Sequence, residues 1–166
     1  AMLEEVFTSS DFRRFTVVRD PASRALSGYI EKIGQGLKQS EPIVAAINAS
    51  TGRDVAPADI TLEQFLDVIG AQSSRDQDPH WRRQADHLGL GIVDYDAVIH
   101  LEELDASWAL VGELTSTPNL QEQFFCRNST GARNRIADYY TPALLQRITD
   151  IYARDYPALH YPLPPI

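Results

Sequence analysis

Apolar positions along the chain change period in a way that sets out alternating strands and helices. Phe15-Thr16-Val17-Val18 is an unbroken β-branched and aromatic run, the pattern of a buried strand, and it stops at Arg19-Asp20-Pro21. Asp20 suits the cap of a helix whose first turn holds Pro21. Apolar residues then recur at Ala22, Ala25, Leu26, Tyr29, Ile30 and Ile33, the stripe of a helix packed on one side. Strand, tight turn and helix in this order make the first half of an α/β unit.

Further along, Ile43 to Asn48 reads as a short helix. A clearer helix starts at Thr61, which forms a capping-box pattern with Gln64. Leu62, Phe65, Leu66 and Ile69 line its inner face, and Gly70 closes it. Ala71 to Asp78 is a polar loop. Asp96 to Leu101 reads as a second strand ending at Glu102, followed by a helix from Asp105 to about Leu114 with Trp108 and Val111 or Leu114 inward. Asn128-Ser129-Thr130-Gly131 is a loop signal. The last helix starts at Thr141-Pro142 and carries Leu144, Leu145, Ile148, Ile151 and Tyr152 on one face. Tyr161 to Ile166 holds three prolines and is expected to be extended. With no internal repeat and no dividing linker, residues 1–166 are expected to form a single domain.

Composition narrows the class. The 166 residues are the size of one domain, and 43% hydrophobic with 23% charged residues is ordinary for a soluble globular chain. A formal net charge of −8 argues against broad nucleic-acid or anionic-membrane binding, although a few arginines can still dominate one cleft. No apolar run is long enough to span a bilayer, and no signal peptide is visible. Ala1-Met2 reads as a remnant in front of an internal start. The single cysteine, Cys126, excludes an intramolecular disulfide and reads as a small apolar residue beside Phe124 and Phe125. From this a cytoplasmic, bacterial protein is expected. No Cys or His pair has metal-ligand spacing, so no metal site is expected.

The chemistry concentrates in Phe15 to Tyr29, FTVVRDPASRALSGY. Arg19 stands at the carboxyl end of a strand, just before a helix amino terminus, where α/β proteins place anions. Ser23 and Ser27 are one helical turn apart on a polar face that also carries Arg24. A guanidinium fork with a hydroxyl suits a phosphate.

RDPxxRxxSxY after an apolar strand resembles the 3′-phosphate-binding motif of the carbohydrate and related membrane-associated sulfotransferases, which use 3′-phosphoadenosine 5′-phosphosulfate (PAPS) as sulfate donor. Asp78-Pro79-His80-Trp81-Arg82-Arg83-Gln84 is similar to that family's HW-containing segment, and Tyr95 to Glu102 to its second strand. The stretch from Asn128-Ser129-Thr130 through Tyr139-Tyr140 to Tyr161 resembles its carboxyl-terminal region. The resemblance implies an α/β, P-loop-NTPase-like sulfotransferase fold, a short parallel sheet flanked by helices. It also implies that Arg19 and Ser27 hold the 3′-phosphate of PAPS, helped by Arg133 or Arg135, although those two could equally be solvated charges. The expected acceptor is a hydroxyl-bearing small molecule or carbohydrate.

The same resemblance raises an expectation of truncation. The family carries an earlier strand, loop and helix with a lysine in a Ser/Thr-rich loop around the 5′-phosphosulfate. Leu3 to Arg14 contains neither lysine nor glycine. The chain is therefore expected to lack that first strand and to be inactive alone, either as a fragment of a sulfotransferase or as a non-catalytic module that keeps the nucleotide site or only the scaffold. Self-association through an exposed sheet edge is expected in consequence. For the base that takes the acceptor's proton, Glu102 and His80 are the candidates. His87 is also of the right type, and His100, inside a strand, reads as structural.

Overall fold

In the computed structural model, which describes residues 5, 7, 9–123 and 130–165, the elements follow the expected order. Strand β1 (Phe15–Val18) leads into helix α1 (Pro21–Gly28), a π-helical turn (Tyr29–Ile33), α2 (Glu41–Thr51), α3 (Leu62–Ala71) and α4 (Gln84–His87). Strand β2 (Ala97–His100) is followed by α5 (Leu104–Thr115), α6 (Leu120–Gln123), α7 (Ile136–Tyr139), α8 (Pro142–Ile151) and α9 (Asp155–Ala158). Contacts gather into two units. The first comprises Ala1–Arg19 with Leu88–Asn128, and the second Asp20–His87 with Ser129–Ile166.

In the first unit β1 and β2 pair in parallel, from Phe15↔Ala97 to Val18↔His100. Asp96 sets this register. Its N–H donates to the Arg14 carbonyl at 2.7 Å, and its carboxylate accepts from the Arg14 N–H at 2.7 Å and from the Arg13 guanidinium at 3.2 Å. The Arg14 N–H, and then the Arg13 guanidinium, hold the Asp96 carboxyl below the usual carboxylate range. Arg13 and Arg14 are thus both engaged where the two strands begin to pair. Val18 and Ile99 are buried, whereas Val17 and Val98 are exposed. The second strand is shorter than its apolar run, because the chain turns into a 3₁₀ segment at Leu101–Glu103.

The second unit holds the main core. Leu26, Ile33, Ile43, Phe65, Leu66, Ile69 and Ile148 are fully buried in it. Helix α1 starts as its sequence dictates: Pro21 occupies the first turn, and the Asp20 side chain accepts from the Ser23 N–H at 2.7 Å. The expected helix to Ile33 is continuous, but it widens into a π-turn after Gly28. There the Gly34 N–H reaches the Tyr29 carbonyl at 2.9 Å. A Cβ on Gly34 would stand 2.7 Å from the Ile30 carbonyl oxygen, so glycine is what lets the chain close this turn. Helix α3 carries the reciprocal Thr61–Gln64 capping box, and Thr141 caps α8.

Trp81 is a core residue, 1% exposed, with its ring edge-on to Phe65 at 5.3 Å. The segment around it is tethered by its own arginines. Arg24 donates to the carbonyls of Arg82 at 2.7 Å and Pro79 at 2.5 Å. Arg83 Nε donates to the Ile151 carbonyl at 2.6 Å, capping the end of α8. The Tyr152 hydroxyl donates to the Trp81 carbonyl, and burial pushes its phenol well above the ordinary tyrosine range. Asp155, fully buried, accepts the Gln84 and Ala85 N–H groups at 2.7 and 2.9 Å. These bonds provide the amino-terminal cap of α4 from the far end of the sequence.

Candidate functional site

Arg19 follows the last residue of β1 and is partly buried. The helix start next to it offers an anion fewer donors than its position implies. Pro21 has no N–H, and the Ser23 N–H is taken by Asp20. The hydroxyl contribution comes from further along α1. Ser27, partly buried, lies with its Oγ 2.9 Å from Thr130 Oγ1. Thr130 in turn accepts from the Ala132 N–H at 3.4 Å. Two hydroxyls carry two protons, and the mutual bond uses one of them. The other is left to donate to an outside acceptor such as a phosphate oxygen.

The Thr130 side sits on a sharp turn. Gly131 has φ +61°, the left-handed region that favours glycine, and the 3₁₀ segment Ala132–Arg135 follows it. Arg133 is exposed. Arg135 instead lies over the Tyr139 ring, its guanidinium carbon 5.0 Å from the centroid, and donates to the Tyr139 hydroxyl at 2.8 Å. Tyr139 meets Tyr29 edge-on at 6.2 Å. Arg135 is thus held in a fixed aromatic setting and Arg133 is exposed, while Arg127, Cys126, Asn128 and Ser129 fall outside the described residues.

His80 is exposed, and its Nδ1 lies 2.6 Å from Asp78 Oδ1. The same oxygen accepts the His80 backbone N–H at 2.9 Å. The Asp78 carboxylate holds the ring through its Nδ1, which fixes the orientation of the imidazole. Glu102, partly buried, sits in the 3₁₀ turn that ends β2. His87 is an unpromising base. Desolvation, then the charges of Arg24 and Arg82, lower its pKa from the ordinary histidine value.

Sequence reasoning missed two roles. Thr130 gives no local signal, since its partner stands 103 positions away. Asp78 does have one, because an aspartate two residues before a histidine can reach back to that residue's own N–H. Among the described residues no group of three or more His, Cys, Asp or Glu side chains is placed to hold a metal ion, and no helix is long and apolar enough to cross a membrane.

Residues 2–162 match the family model described as "Sulfotransferase family". With that match over nearly its whole length, and with its α/β architecture, this chain belongs to the sulfotransferase family. It is similar to carbohydrate sulfotransferase 14 of Mus musculus, 27% identical over 160 residues, and of Homo sapiens, 28% identical over 161 residues. Each alignment takes in 91% of this chain, which spans 43% of the length of these relatives. No solved structure matches it. The mammalian origin of these relatives overturns the expectation of a bacterial, cytoplasmic protein. A lone cysteine limits disulfide pairing and says nothing decisive about compartment.

Proposed function

We propose that this chain binds the 3′-phosphoadenosine part of PAPS and serves sulfuryl transfer to a hydroxyl of a carbohydrate. The observation that carries this reading is the Ser27–Thr130 hydroxyl pair, which falls on the serine of the family's phosphate motif and keeps one proton for an acceptor. Arg19 supplies a guanidinium for the same phosphate, and Arg133 is the exposed arginine available to add charge. Arg135, bonded to Tyr139, has its planar face engaged, and its part is to hold that turn in place.

In the transfer, the acceptor oxygen bonds to sulfur while the bond from sulfur to the 5′-phosphate oxygen breaks, and the hydroxyl proton passes to a base. His80 fits that role better than Glu102, because the Asp78 carboxylate orients its ring through Nδ1 and leaves Nε2 as the nitrogen for the acceptor. The carbohydrate acceptor follows from the names of the similar proteins.

Calorimetric titration with 3′-phosphoadenosine 5′-phosphate tests the nucleotide half. Saturable binding is expected, weakened about tenfold or more in Ser27→Ala and Arg19→Ala, as loss of a charge-assisted bond to phosphate requires. Absence of binding by the folded wild-type chain would overturn the reading.

A further inference from the structure

In the first unit, the end of α5 and the turn after it enclose an open cleft of about 480 Å³ that includes Trp108, Gly112, Glu113, Thr117, Asn119 and Gln121 in its lining. The turn is drawn tightly against the helix. The Thr117 N–H donates to the Gly112 carbonyl at 3.0 Å, and a Cβ on Gly112 would meet the Thr117 carbonyl oxygen at 3.2 Å. Ser116 and Asn119 hold left-handed backbone at φ 53° and 55°. Such conformations are uncommon for residues other than glycine and persist where the surroundings impose them.

We propose that this cleft is a subsite for a neutral pyranose unit. A partly exposed indole beside two primary amides and a carboxylate matches that chemistry. The C–H face of a sugar ring packs on an aromatic surface, while its hydroxyls need donors and acceptors fixed at the rim. Asn119 and Gln121 can each donate and accept, and Glu113 accepts. Among the described residues the lining contains no lysine or arginine, and its charge is the single carboxylate of Glu113. A uronate or sulfated sugar would meet repulsion from Glu113 with no cation among these lining residues to offset it, so they select uncharged units. This subsite rests on the carbohydrate reading above and is built from residues outside the phosphate motif.

The chain holds two tryptophans, so its two indole N–H resonances make an internal comparison. Trp81 is buried in the other unit, and Trp108 lines the cleft. The chain would be titrated with methyl N-acetylglucosaminide, methyl glucoside and methyl glucuronide, and each resonance followed by ¹H–¹⁵N NMR. Saturable movement of the Trp108 signal alone is expected for the two neutral glycosides, with glucuronide weaker. In Gln121→Ala, a change at an exposed position, neutral binding should weaken about tenfold, as for loss of one good polar contact. No Trp108 movement, equal movement of both indoles, or tighter glucuronide binding would each overturn the subsite. The nucleotide titration is read separately. Sugar binding lost with nucleotide binding intact rejects only the subsite, and the reverse result rejects only the nucleotide reading.

Discussion

Ser27 and Thr130, 103 positions apart, share a hydroxyl–hydroxyl hydrogen bond of 2.9 Å. Neither residue alone makes a phosphate donor of defined direction, since an isolated hydroxyl rotates freely. Paired, one hydroxyl orients the other.

A double-mutant cycle on nucleotide binding follows from that pairing. Ser27→Ala and Thr130→Val should each weaken 3′-phosphoadenosine 5′-phosphate, and the double variant should lose less than the sum of the two. Additive losses measured by calorimetry would mean that the hydroxyls act independently.

The Asp96 carboxyl ties the starts of the two strands together and is held below its ordinary pKa by the Arg14 N–H and the Arg13 guanidinium. A folded-state pKa that is depressed contributes stability above the unfolded value of about 4, lost as pH falls through the folded value. Asp96→Asn should therefore be less stable than wild type at neutral pH, with the gap closing as pH falls below the unfolded value. Urea unfolding at a series of pH values checks this, and a gap that is constant with pH would remove the electrostatic explanation.

Asp155 accepts two backbone N–H groups in a fully buried setting. Asparagine keeps one acceptor oxygen and turns an amide NH₂ toward the other donor. Asp155→Asn should lose about 1–3 kcal/mol of stability in denaturant unfolding, and Asp155→Ala more. A loss below about 0.5 kcal/mol in both variants would show that the start of α4 does not depend on this cap.

Much of the local structure was legible in the residues themselves. Strand β1 matches its apolar run from Phe15 to Val18, and the Asp20, Thr61 and Thr141 caps all formed where the sequence placed them. These features depend on neighbours within a few positions, so a short window contains their cause. The RDPxxRxxSxY spacing was also legible, because it is a local property of one turn and one helix.

What the sequence could not decide was where each charged or polar side chain finds its partner. Nothing near Arg13 and Arg14 in sequence shows that one pairs with Asp96 and the other donates to the Asp94 carbonyl, some 80 positions away. Arg24 and Arg83 hold backbone carbonyls around Trp81. A long guanidinium reaches several ångströms from its backbone, so its partner is chosen by packing between distant segments. The π-turn after Gly28 and the Ser27–Thr130 pair have the same origin. Sequence determined the strands, the helices and the residues available for chemistry, and tertiary structure decided which were taken up by scaffolding and which kept a donor for a ligand.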